Sequence, residues 1–141
     1  MIDPDDVPPV ADNELMARFI VYSDHFKGQS VSQMAFLAYK YTDLSTTRHR
    51  EATVDEIWQA GRDVAILRNR PLYGRADIQA GSCRQIGLSV DPDPSPVEEG
   101  VRANPNHALI HGFPNEKQEQ MSFAQLLAAA ANEQGGFKPA P

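Results

Sequence analysis

Thr53-Val54-Asp55-Glu56 sets the start of one helix more firmly than any other feature sets an element of this chain. A threonine at the cap position accepts from the amide three residues on, and a glutamate there reaches back to the cap's own amide. Ile57, Trp58, Gly61 and Val64 then recur on one side, predicting the buried face of a helix that runs to about Leu67. A fold for this chain must give that face a partner surface.

The remaining elements are shorter. Asp12 or Asn13 can cap a helix in which Leu15, Met16, Phe19 and Ile20 make an apolar stripe. Met34–Tyr41 is apolar and aromatic and reads as a strand, followed by an extended piece around Leu44–Arg50. Arg75–Ile78 reads as a short strand. Arg84–Val90 reads as a firmer one, with Ile86, Leu88 and Val90 alternating. Residues 91–106 hold four prolines and predict a long exposed loop. Asn115 can cap a last helix through about Asn132, ended by Gly135-Gly136. Three helices among short strands, without regular βαβ alternation, predict an α+β fold: a small mixed or antiparallel sheet packed against two or three helices. Residues 1–11, with Pro4, Pro8 and Pro9, are expected to form a flexible arm, 12–133 a single α+β domain, and 134–141 a flexible tail.

Bulk properties narrow the class. At 141 residues, 41% hydrophobic and 23% charged, the chain has the composition of one ordinary domain. No run approaches the ~20 apolar residues of a membrane span, and the acidic, proline-rich start is unlike a secretory signal. The single Cys83 cannot form an internal disulfide. These features predict a cytoplasmic protein with no membrane partner. The net charge of -6 disfavours nonspecific nucleic-acid binding, which needs many phosphate-neutralising cations. Charge is uneven, however: residues 27–84 carry nine Lys and Arg against six acids, between acidic ends. Such a middle can present a face to an anionic ligand.

Candidate chemistry concentrates in Asn104–Lys117, where His107, His111 and Lys117 bracket the apolar Leu109 and Ile110. A metal site on the two histidines depends on backbone geometry. Four residues span about 13 Å in a strand, too far for one ion, but rise only about 6 Å in a helix. Asn104, Pro105 and Gly112 suit a helix, and the short apolar core between prolines suits a strand. No third ligand stands at a recognisable spacing, so no metal is assigned, and no cofactor signature is present. A second grouping joins His107, as proton-transfer group, to Arg48, Arg75 and Lys117 as anion-binding cations, with Asp77 orienting a histidine. Such a set would bind a phosphate-bearing or nucleotide ligand and support metal-independent phosphodiester hydrolysis. Gly74-Arg75 is expected to turn, without the second glycine of a phosphate-cradling loop, and Cys83 lacks a neighbouring base. The competing expectation is a non-catalytic interaction module, an accessory or neutralising partner of another protein. Its contacts would come from the acidic arm and the 91–106 loop.

Leu44-Ser45-x-x-Arg48, Gly74-Arg75-Ala76-Asp77-Ile78 and His107-Ala108-x-Ile110-x-Gly112-x-Pro114-x-x-Lys117 occur in that order. In this the chain resembles a group of small, uncharacterised bacterial proteins that carry the same three motifs, over roughly residues 14–131. It departs from them at Leu109, where they tend to have Asn, and at Phe113, where they tend to have Trp. The resemblance implies boundaries and candidate residues, and no activity.

Overall fold

The computed structural model describes residues 6–95 and 101–141. Its strands are β1 (Leu15–Ile20), β2 (Phe26–Lys27), β3 (Ser30–Val31), β4 (Asp43–Arg48), β5 (Gly74–Gln79), β6 (Ser89–Pro92), β7 (His107–His111) and β8 (Phe137–Pro139). Its helices are α1 (Val54–Arg68), α2 (Ala80–Gln85) and α3 (Lys117–Glu133). Six strands make one sheet in the order β6-β7-β4-β1-β5-β8, and β2 pairs with β3 apart from it. Every pairing is antiparallel. The fold is α+β, with the sheet between helices on its two faces.

Alternation along the strands decides what each face carries. Met16 and Ile20 of β1, Ala76 and Ile78 of β5, and Ala108 and Ile110 of β7 join one large core with Ala124, Leu127 and Ala131 of α3. On the opposite face Ala17 and Phe19 pack with Ile57 of α1 in a smaller cluster. Gly61 makes that approach possible: a Cβ there would lie 2.7 Å from the Phe19 ring. The capping box predicted for α1 is present, with Thr53 Oγ1 accepting from the Glu56 amide at 3.1 Å and Glu56 Oε1 accepting from the Thr53 amide at 3.0 Å.

Several elements differ from expectation. Residues 12–20 predict a helix, but Leu15–Ile20 is a central strand buried on both faces. Two-sided burial erases the alternation that marks a strand, leaving a spacing that mimics a helical stripe. The apolar run 34–41 enters no strand. Residues Gln33–Phe36 form a 3-10 turn capped by the Ser32 hydroxyl, with Ala35 and Phe36 buried. Within 84–90, Arg84 and Gln85 end α2, and β6 starts only at Ser89. Gly87, at φ 94°, turns the chain between them. His107–His111 is a strand.

The expected arm and tail are also engaged. Val10 is buried in the main core, and the Pro8 and Pro9 carbonyls accept from Arg48. Residues 1–5 lie outside the described residues. At the other end Gly135 and Gly136 adopt positive φ and reverse the chain, so that β8 pairs with β5 and Phe137 stacks on Phe26 at 3.9 Å. Of the expected 91–106 loop, Asp91 and Pro92 belong to β6, Ser95 pairs with Asn104, and 96–100 fall outside the described residues.

Candidate functional site

Only two of the five side chains grouped from the sequence meet. Arg75 Nε donates to Asp77 Oδ1 at 3.2 Å, and the Arg75 guanidinium lies 4.6 Å from the Trp58 ring centre. Asp77 also receives His49 Nε2 at 3.0 Å and Lys138 Nζ at 3.3 Å. Burial alone would raise the Asp77 pKa. The His49 hydrogen bond and the surrounding positive charge outweigh it and hold the carboxyl below its ordinary value. Asp77 therefore does orient a histidine, but that histidine is His49 and not His107.

Arg48 is committed elsewhere. It is 1% exposed, binds both Glu14 carboxylate oxygens at 2.6 and 3.0 Å, and donates to the carbonyls of Pro8 and Pro9. A guanidinium holding four internal acceptors ties the chain start to the sheet and has little left for a ligand. Lys117 begins α3, in the layer on the far side of the sheet from α1, and is exposed. It makes no ion pair among the described residues.

His107 lies on the α1 side of the sheet, opposite Thr47 of β4. Its Nδ1 is 2.8 Å from the Asp93 carbonyl and 3.2 Å from the Asp93 carboxylate. A carbonyl only accepts, so Nδ1 carries the proton and Nε2 is the acceptor of the neutral ring. His111 instead contacts the Asp91 carboxylate at 2.6 Å. Each histidine is thus engaged by a different aspartate, and no three His, Cys, Asp or Glu side chains cluster as metal ligands among the described residues.

Above His107 a groove of about 550 Å³ runs between α1 and the segment flanking residues 96–100, floored by Ser45, Thr47 and His107. That volume falls within the roughly 300–1,000 Å³ of small-molecule sites. A small hollow leads on from it to Arg18 and shares Ser45, Thr47, Val64, Arg68 and His107 with the groove. The hollow exists because β1 and β4 pair only at Met16–Arg48 and Ala17–Thr47. Past that point Arg18 spans the gap, with Nε on the Ala35 carbonyl at 2.9 Å and Nη1 on the Ser45 carbonyl at 3.0 Å.

Neither Arg18 nor Arg68 has a carboxylate partner among the described residues. Burial, assisted by the nearby Arg68 charge, pushes the Arg18 pKa down to about 10. It stays charged at neutral pH. Sequence reasoning missed this pair. The available signal was a cation in the middle of the apolar run Leu15–Ile20, where an unpaired charge is costly.

No family model matches the chain, and no curated protein or solved structure matches it.

Proposed function

We propose that the groove binds a phosphate-bearing or otherwise anionic small ligand, with Arg18 and Arg68 as the anion-holding groups and His107 as the proton-transfer group. The observation that carries this reading is the pair of neighbouring guanidinium groups without a carboxylate partner among the described residues. Like charges brought together in a partly dry hollow repel, and an anion between them relieves that repulsion while forming charge-assisted hydrogen bonds. Arg48, Arg75 and Lys117 have no part in it.

His107 adds a reaction to this binding. With Nδ1 donated to Asp93, Nε2 can take a proton from water as the water oxygen bonds phosphorus. The ester P–O bond breaks, and the imidazolium returns its proton to the leaving alkoxide. Arg18 and Arg68 would stabilise the charge that gathers on the phosphoryl oxygens. This is metal-independent phosphodiester hydrolysis.

Calorimetric titration with AMP, glucose 6-phosphate and inorganic phosphate tests the binding. Arg68 is exposed, so Arg68→Ala should leave the fold intact while weakening binding by roughly 10- to 100-fold, the worth of one charge-assisted hydrogen bond. Wild-type protein that binds none of the three, or a variant that binds as well as wild type, removes the reading. Hydrolysis of bis(p-nitrophenyl) phosphate that is equal in wild type and His107→Ala removes the catalytic part alone.

The competing reading, an interaction module, draws its support from Tyr39 and Tyr41, 47% and 75% exposed on one loop. Its expected contact elements are partly engaged within the fold, through Val10 and through the Ser95–Asn104 pairing.

A further inference from the structure

The same groove contains the opposite electrostatic problem a short way along α1. Of the three carboxylates among the described residues that line it, Glu56, Asp63 and Asp93, only Asp63 is buried, at 9% exposure. Asp63 Oδ1 accepts from the Gln59 amide at 3.0 Å. Its one cationic contact among the described residues is Arg102 Nε at 3.7 Å, reaching across from the other wall on a side chain 71% exposed. A buried carboxylate is normally matched by a close, well-ordered cation, because its desolvation is otherwise uncompensated. Asp63 lacks one. A second acceptor points the same way: Asn106 Oδ1, on a residue lining the groove, is buried and has no hydrogen-bond donor among the described residues.

One wall of the groove therefore carries an undercompensated carboxylate at Asp63 and, further along, the exposed Arg68, a cation with no carboxylate partner among the described residues. They lie five helical positions apart, a rise of about 7–8 Å. We infer that the ligand is zwitterionic: a phosphate ester that also carries a positively charged nitrogen group, its phosphate held by Arg68 and Arg18 and its nitrogen group by Asp63. The nitrogen group replaces Arg102 at Oδ2, and that exchange favours the ligand because an exposed, loosely held arginine loses little on returning to water. This inference rests on the anionic-ligand reading above and adds the second recognition element.

Glucosamine 6-phosphate and glucose 6-phosphate form a matched pair, differing only in an ammonium group for a hydroxyl. Titrated into the whole chain at mildly acidic pH, where the amine is charged, the amino sugar phosphate should bind at least about tenfold more tightly. Asp63→Asn keeps the shape and removes the charge, and should abolish that preference while leaving glucose 6-phosphate affinity within about twofold. The comparison on wild-type protein stands even if the variant folds poorly. Equal wild-type affinities for the two sugars overturn the inference and leave the anionic-ligand reading in place. A preference that survives Asp63→Asn in a folded variant also overturns it. Failure of both sugars, AMP and inorganic phosphate to bind overturns the inference and the reading together.

Discussion

Asp77 and His107 occupy the same row of the sheet, linked through Ala17 and Thr47, yet Asp77 accepts from His49 at 3.0 Å and His107 donates to Asp93. Three strand steps of ~4.8 Å put about 14 Å between β5 and β7. α1 sits over β1 between them, through Ile57 on Ala17. The two imidazole–aspartate contacts thus belong to separate environments: one under the Trp58 side of α1, the other on the groove floor. The first is structural in its effects, and the second faces a cavity.

Removing the Asp77 charge leaves Arg75, 7% exposed, without its anion. Breaking a buried pair from one side costs about 3–5 kcal/mol, with a discount here because Lys138 is partly solvated. Asp77→Asn should therefore lower stability in urea denaturation by roughly 2–4 kcal/mol, far more than Arg68→Ala on the exposed end of α1. A loss below about 0.5 kcal/mol, the scale of a neutral surface change, would show that the carboxylate is dispensable.

Acid should destabilise the fold through two identifiable carboxyls. For Glu14, burial raises the pKa, but the Arg48 hydrogen bond, the Ala11 amide and the Arg48 and Arg50 charges hold it below its ordinary 4.5. Asp77 lies below its ordinary 3.8. A depressed folded pKa contributes stability that is whole above the unfolded value and is lost as pH falls through the folded one. Because burial also holds the His25 pKa below its ordinary 6.5, stability should begin to fall beneath pH 6.5 and decline further beneath pH 4.5, first through Glu14 and then through Asp77. Glu14→Gln should flatten the upper part of the carboxyl decline in a series of denaturation curves against pH. An unchanged slope would deny Glu14 the role.

Cys83 should be unreactive in the native protein. Burial pushes its thiol pKa up to about 12, against a small opposing effect of the Arg84 charge, so thiolate is scarce at pH 8. Modification by a thiol reagent should follow global unfolding and accelerate sharply with denaturant. Rapid labelling of native protein would contradict this burial.

Two helices were legible because local chemistry alone specifies them. The Thr53–Glu56 box closes on neighbouring residues, and the α3 repeat of apolar positions needs no distant partner to be read. Strands β4 and β5 overlap the short extended segments read around Leu44–Arg50 and Arg75–Ile78. β1 was not legible, because the centre of a sheet buried on both faces has no alternating pattern to display. The apolar run at 34–41 has strand composition but, among the described residues, no ladder partner, and packs beneath α3 as a turn instead.

For the site, residue types alone nominated His107, with helix and strand both open for its segment, and offered Asp77 as the orienter of a histidine; the strand at His107–His111 came from the structure. Which histidine it holds, which arginines lack a carboxylate among the described residues and which buried carboxylate has only a loosely held cation were set by tertiary structure. Ion pairing in this chain reaches across 28 residues from His49 to Asp77 and 34 from Glu14 to Arg48. A linear chain records that a charge exists. Whether it is neutralised depends on which side chains the strand order brings within a few ångströms, because electrostatic compensation falls off with distance in space and not along the backbone.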